Sequence, residues 1–350
     1  MRFWRGYLSW ALQEPVGLDA APKGNLLESQ SALREIDLSG KSACSVHSTT
    51  TFENRFRREI VENRTMISSQ HFSFELFPPR TPEGVAKLPS VIQELAAASP
   101  DYFSITYGAL GSGQEGTYET LMTVVQQTGV EAAPHVTCIG STRANIAALL
   151  QRYKDAGVKR IVALRGDLPS TAYSASAPGE FHYANELVSF IRETQGDAFQ
   201  IEVAAYPEMH PQAPNAAADF ENFRRKVEAG ADGAITQLFY NADAYFDFMD
   251  RCAGAKITVP VTPGIMPITG YANTLRFCNN CGADMPRWLR LRLEDLQEDK
   301  TGLRDFGLNV VTRLCETLLK NGAPSLHFYT ANQAEPTLRL CESLGLTAKA

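Results

Sequence analysis

No apolar run in this sequence approaches the roughly 20 residues that a membrane-spanning helix requires. A basic excess is missing too: 33 Lys and Arg against 39 Asp and Glu give a formal net charge of -6. That balance argues against a general nucleic-acid surface, though it leaves room for a local basic patch that holds phosphates. Cysteine is sparse, with seven residues scattered over the chain. An odd number at low density fits a reducing cytoplasm better than a disulfide scaffold. Cys278 and Cys281 form one C-x-x-C pair, and no second pair completes a zinc set. Its setting, Phe277 to Gly282, reads as a helix end closed by glycine. Neither His135 nor His210 has a second histidine at H-x-x-x-H spacing, so no metal is expected.

The 350 residues that remain to be explained are 44% hydrophobic and 21% charged, enough for a large core. Residues 1–65 show no sustained period. Met1 to Trp10 is aromatic and carries arginine, as a targeting helix can, but Glu14, Asp19 and Glu28 follow at once. Transit peptides are poor in acidic residues, and the apolar part is too short for a signal peptide. This segment is expected to be an irregular, poorly ordered N-terminal extension without a catalytic role. Met66, just before the first clear strand, is a candidate for the natural start. Residues 66–350 are expected to form one catalytic domain.

From residue 70 short runs rich in Val, Ile, Phe and Tyr alternate with helical patterns. The strands read as His71–Phe77, Tyr102–Gly108, Ala132–Cys138, Arg160–Arg165, Gln200–Tyr206, Gly233–Tyr240, Thr258–Ile265 and Ser325–Thr330. Helices begin near Pro82, Gly116, Thr142, Tyr183, Ala216, Asp243, Tyr271 and Ala334, with a longer helical insert at Arg287–Lys320. Ser141 and Thr142 supply a cap, and Gly157 ends the helix that follows. Eight such alternations predict an α/β fold, a parallel (β/α)8 TIM barrel, with its active site at the C-terminal ends of the strands. Gly111 to Gly116 matches G-x-G-x-x-G, the dinucleotide fingerprint. No strand-end acid follows about 20 residues on, so it reads instead as a flexible loop at the barrel mouth.

Side chains along a strand alternate faces. In the first strand Phe72, Phe74 and Leu76 share an apolar face, which leaves Ser73, Glu75 and Phe77 pointing inward. Glu75 is thus a carboxyl among aromatic groups. Lost solvation disfavours its charged form, so it is suited to hold and deliver a proton near neutral pH. The alternative is a structural pair with an interior arginine such as Arg165. The fourth strand turns Ala163, Arg165 and Asp167 inward, with Gly166 allowing a ligand close to the backbone. Asp167 can accept from a heterocycle's N–H groups and Arg165 can bind an anionic or carbonyl part of a cofactor. His135 and Gln237 also face inward near strand ends. After the fifth strand Asp219, Asn222 and Lys226 fall on one helix face beside Arg225. A solvated charged face is the default for such a pattern, but basic groups beside a helix N-terminus can also hold a pyrophosphate. No lysine faces inward at a strand end, which argues against an aldolase-type Schiff base.

Several peptides resemble the 5,10-methylenetetrahydrofolate reductase family. They are Phe72 to Arg80, Thr106 to Ala109, Ala133 to Cys138, Ala163 to Asp167, Ala205 to Pro211, Ile235 to Gln237, Pro263 to Pro267 and His327 to Thr330. The likeness runs in order from about residue 70 to 346, and its extent resembles the short bacterial form without an added regulatory domain. It implies an FAD enzyme that takes hydride from NADH or NADPH and then passes it to a folate-bound one-carbon unit. The product is 5-methyltetrahydrofolate, for methionine synthesis. Glu75 matches the family's proton donor, and Asp167 the acid that contacts flavin and pterin. Gln237 and Phe277 match folate contacts, and Thr106 a nicotinamide contact. Flavin contacts carry over to Tyr107, Ala109, His135, Arg165, Gly166, Asp167, Tyr183, Ala184, Tyr206, His210, Ala213, Asp219, Asn222, Arg225 and Lys226. Asn273 stands where the family commonly has Gln, and Gln333 where a folate-binding Arg is usual. A homo-oligomer in the cytoplasm is expected. The competing readings are a flavin-dependent barrel with another acceptor and a non-catalytic flavin- or folate-binding protein.

Overall fold

The computed structural model describes residues 71–107, 113–166 and 179–346. Residues 1–70, including the expected extension and Met66, lie outside that set, as do Ala109 and Asp167. The strands are β1 (His71–Leu76), β2 (Tyr102–Ile105), β3 (Glu131–Thr137), β4 (Arg160–Leu164), β5 (Gln200–Ala205), β6 (Gly233–Thr236), β7 (Val261–Thr262), β8 (Gly264–Ile265) and β9 (Ser325–Tyr329). The helices are α1 (Pro82–Ala96), α2 (Gly113–Thr128), α3 (Arg143–Asp155), α4 (Ala184–Gln195), α5 (Ala216–Glu228), α6 (Ala242–Gly254), α7 (Tyr271–Cys281), α8 (Arg287–Asp295), α9 (Lys300–Lys320) and α10 (Ala334–Leu344).

All strand pairs are parallel, in the order β7-β6-β5-β4-β3-β2-β1-β9-β8. Only Pro263 separates β7 from β8, so the two ends of this order meet and the sheet closes into a (β/α)8 barrel. The sequence read that stretch as one strand. Proline has no N–H for a ladder, and the two halves divide their partners, β7 pairing with β6 and β8 with β9. The sixth strand ends at Thr236 rather than Tyr240, because the Leu238 N–H turns to the Gln237 side-chain oxygen at 2.9 Å. The second ends at Ile105, although the Thr106 N–H still reaches the Leu76 carbonyl at 2.9 Å.

The alternation read in β1 holds. Phe74 is fully buried outside the barrel wall, in register with Phe103 and Phe328 and with ring centroids 5.8 and 5.9 Å from theirs. Helix starts follow their caps. Thr142 accepts from the Asn145 N–H at 3.2 Å, and Asn241 accepts from the Asp243 N–H at 3.1 Å. Gly113 to Gly116, read from the sequence as part of a flexible loop, form the first turn of α2 instead; Gly111 and Ser112 lie outside the described residues. The insert is two helices, α8 and α9, with Asp299 capping the second through the Gly302 N–H at 2.9 Å.

Gly264 sits at the closing seam. A Cβ there would strike the Thr236 carbonyl and the Tyr329 ring. Overpacking of this kind costs about 1–3 kcal/mol. Gly264→Ala should therefore lower the urea midpoint of unfolding without changing the slope of the transition.

Candidate active site

Glu75 is 6% exposed and enclosed at the barrel interior. His135 Nε2 lies 3.6 Å from its Oε2, and His327 Nε2 lies 4.0 Å from the same oxygen. Burial pushes His135 down to about 4, against the pull of the Glu75 carboxylate. Burial, reinforced by Arg160, pushes His327 down to about 3. Both imidazoles are therefore neutral at pH 7. His327 is fixed by two serines, with Nδ1 2.7 Å from Ser73 Oγ and Nε2 3.2 Å from Ser104 Oγ. The Arg165 pairing weighed from the sequence is not made: the Arg165 guanidinium donates to Gln212 Oε1 at 2.5 Å and to the Gly166 carbonyl at 3.2 Å.

Most of the remaining expected cofactor residues gather beyond β2 to β5. Thr106 is buried, and its carbonyl accepts from the Thr117 hydroxyl at 3.0 Å. Burial raises the Tyr107 phenol, while hydrogen bonds from Gln114 and Thr137 oppose it. Gly166 has φ +81, and a Cβ there would come 2.9 Å from the Thr137 side chain, so only glycine lets this turn pack so closely against β3. Tyr206 and His210 meet ring to ring with centroids 4.6 Å apart. The Gln212 N–H donates to His210 Nδ1 at 3.0 Å, the His210 N–H to Asp219 at 2.9 Å, and the Ala213 N–H to the His210 carbonyl at 2.8 Å. Burial, then Arg165 and Lys226, pushes His210 down to about 4. Lys226 folds its ammonium inward to the Ala204 carbonyl, and burial pushes it down to about 8 although Asp219 opposes the shift. Asn222 is exposed on the same helix, and Arg225 turns to Glu221 at 3.3 Å on the solvent side. Tyr183 is 56% exposed and precedes Ala184, the first residue of α4.

The expected folate residues fall on the other side of the mouth. Phe77, Met266, Asn273, Phe277, Tyr329 and Gln333 line a solvent-open cleft of about 670 Å³. Gln237 stands apart from this lining, its oxygen taken by the Leu238 N–H. Phe77 follows Glu75 on the inward side of β1, and Tyr329 is in register with Glu75. The carboxyl thus sits just beneath the cleft's aromatic wall. Burial, then the Glu75 charge, raises the Tyr329 phenol, whose O–H donates to the Thr236 carbonyl at 2.5 Å.

Three contributors escaped the sequence reading. His327 and Tyr329 share the inward face of β9, where the period-two rule applied to β1 would have found them. Asn332 clamps Phe77, accepting its N–H at 3.0 Å and donating to its carbonyl at 2.8 Å. Its φ of +53 is a conformation that asparagine tolerates better than most residues, a weak signal in a sequence. Cys278 and Cys281 are buried in α7, whose cap is Gly282, as expected. Among the described residues no cluster of three or more His, Cys, Asp or Glu could hold a metal ion. No helix among them is long and apolar enough to cross a membrane.

Comparison with known proteins adds a family. The model of a family described as methylenetetrahydrofolate reductase matches residues 60–345. The 5,10-methylenetetrahydrofolate reductase of Salmonella typhimurium is 39% identical over 274 residues, covering 78% of this chain and 90% of that one. The Escherichia coli protein of the same name is 38% identical over 274 residues, with the same coverage of 78% and 90%. That of Buchnera aphidicola from Schizaphis graminum is 35% identical over 297 residues, covering 84% and 99%. A Clostridium thermocellum structure, described as an uncharacterized protein that binds two copies of 5-methyl-5,6,7,8-tetrahydrofolic acid, shares the fold. Its TM-score is 0.54 at 16% identity, and the match covers 81% of this chain and 98% of that one.

The three depressed histidines make stability depend on pH. Unfolded imidazoles titrate near 6.5, whereas His135 and His210 titrate at about 4 and His327 at about 3 in the folded chain. Between those values the unfolded chain binds more protons, so stability should fall by a few kcal/mol as pH drops from about 6.5 towards 4. Urea unfolding across that window measures the slope, and His135→Gln should flatten it.

Proposed function

The chain belongs to the methylenetetrahydrofolate reductase family, and from that premise we propose that it reduces 5,10-methylenetetrahydrofolate to 5-methyltetrahydrofolate in two alternating half-reactions. NADH or NADPH is the hydride source, FAD the carrier, and the methyl group made is destined for methionine synthesis. One observation carries the reading: a buried carboxyl, Glu75, with two neutral imidazoles beside it and an aromatic-lined cleft directly above. The six described cysteines are buried and unpaired, which suits the reducing cytoplasm.

The residues near β3 to β5 fit FAD by their donor chemistry. Arg165, just past β4, and Lys226, whose ammonium reaches the Ala204 carbonyl near the end of β5, bring two cations to one side of the mouth, and Asn215 caps the N-terminus of α5. Two cations and the free N–H groups of a helix N-terminus each suit a pyrophosphate. Arg165, Lys226 and His210 would hold that part, with Tyr206, His135 and Asp167 nearer the ring system. FAD, when bound, accepts hydride from the nicotinamide and yields it to the substrate's one-carbon unit. Phe277 and Tyr329 offer flat faces to a pterin, while Asn273 and Gln333 offer uncharged hydrogen-bonding groups. Glu75 gives its proton to the nitrogen that leaves as the folate's five-membered ring opens, and the resulting iminium carbon is the hydride acceptor. Thr106, just past β2, would contact the nicotinamide.

Two measurements test this. Glu75→Gln should leave reduction of the flavin by nicotinamide within a few-fold of wild type and slow the folate half-reaction by about 10²–10⁴, the usual worth of a general acid. Equal loss in both half-reactions would make Glu75 structural. Lys226, at about 8 in the free protein, must be charged to meet a pyrophosphate. FAD affinity should therefore be level below that pH and weaken above it, and Lys226→Gln should remove the dependence.

A further inference from the structure

The cleft above Glu75 continues beyond its aromatic wall. Part of its lining is Pro267 and Thr269, from the loop after β8, and Pro336, in the first turn of α10. The same three residues line a second, solvent-open groove of about 360 Å³ between α9 and α10, so the two hollows share a wall. Helical spacing makes the sides of this groove. Arg304, Gly307 and Val311 fall at i, i+3 and i+7 on one face of α9, and Glu335 and Arg339 at i and i+4 on one face of α10. Gly307 lets α9 come up against the loop, since a Cβ there would meet the Ile268 carbonyl at 2.8 Å.

Charge separates the two hollows. Among the described residues no acidic or basic side chain lines the cleft, where Gln333 offers only an amide; Arg276 stands beside it, its guanidinium 5.8 Å from the centroid of the Phe277 ring. The groove is lined by two arginines and one glutamate. Arg339 is occupied, 3.0 Å from Asp305 and 3.7 Å from Glu335, so it answers the two carboxylates that would repel an anion. Arg304 is exposed and makes no ion pair with another described residue. A free guanidinium beside an uncharged cleft suits a carboxylate, which it can grip through two N–H groups. With a pterin against Phe277 and Tyr329, the end of a folate that leaves the cleft is its glutamate. Each further glutamate joined through the γ-carboxyl lengthens that tail and adds a carboxylate. We propose that the α9–α10 groove is a subsite for a γ-linked glutamate tail, with Arg304 as the residue that selects for tail length. The subsite rests on the folate reading above and supplies the positive charge that the cleft lining lacks.

Steady-state reduction of methylenetetrahydrofolate carrying either a single glutamate or a pentaglutamate tail tests the proposal, read as the ratio of the two KM values. A ratio cancels any general loss of folded enzyme. In wild type, KM should be lower for the pentaglutamate by up to about fivefold, the upper end for an exposed ion pair, with kcat alike for both substrates. Arg304→Gln should bring the ratio close to one, Arg304→Lys should keep part of the preference, and Arg304→Glu should invert it. High salt should erase the wild-type preference, because the groove is open to solvent. A wild type that reduces both substrates with the same KM would overturn the subsite and leave the folate reading standing. So would a preference that survives Arg304→Gln and Arg304→Glu, or one that is lost in Arg276→Gln instead. A wild type that reduces neither substrate would overturn the folate reading and the subsite with it.

Discussion

Phe328, Phe74 and Phe103 sit side by side on β9, β1 and β2, outside the barrel wall and out of water. Their mutual contacts fix which face of each strand is outward. Because side chains alternate, the neighbours of these rings have no choice but to point inward, and those neighbours are Glu75, His327 and Ser104. A slip of one residue in either pairing would turn the carboxyl out beneath the helices and bring a phenylalanine into the barrel. Loss of a buried phenylalanine side chain costs about 3–5 kcal/mol, so the packing that stabilises the wall also holds the acid in place.

Inside that wall the electrostatics are unusual for a carboxyl next to two histidines. Imidazole beside carboxylate would ordinarily make an ion pair. Here burial outweighs attraction, and both rings stay neutral. His327 also spends both nitrogens on serines, which limits its freedom to swing towards Glu75. The cationic groups are kept elsewhere at the mouth: Arg165 is tied to Gln212 and Lys226 to a main-chain carbonyl. The mouth therefore carries Arg165 and Lys226 near β4 and β5, and an aromatic cleft around α7 and β9 in which Arg276 stands 5.8 Å from the Phe277 ring.

The barrel was legible because the strands carried their own period and several helices a side-chain cap. Glu75 was legible for the same reason, since the apolar face of β1 leaves it no other direction. Its partners were not, because which residues stand opposite depends on barrel closure. Arg165 was an equally good neighbour in sequence until the structure placed it with Gln212. Gly111 to Gly116 misled because glycine spacing describes turns and helix starts alike. The break at Pro263 was hidden by apolar residues on both sides, which suit one strand as well as two. Asn273, Phe277 and Gln333 came from family likeness, and the cleft brings those three together on α7 and before α10. Asp167 and Ala109 lie outside the described residues.

The seam between β1 and β9 also sets a timetable. Thr330 bonds the Glu75 carbonyl across 255 residues of chain, and Asn332 holds Phe77 across the same 255. Glu75 is among the earliest barrel residues to leave the ribosome, and it waits for nearly the whole domain before its surroundings exist. Until β9 emerges, β1 is a bare edge with a row of phenylalanines and no partner on one side. The site is therefore complete only after His327, Tyr329 and Asn332 have been made, which places its last parts at the far end of the domain from Glu75.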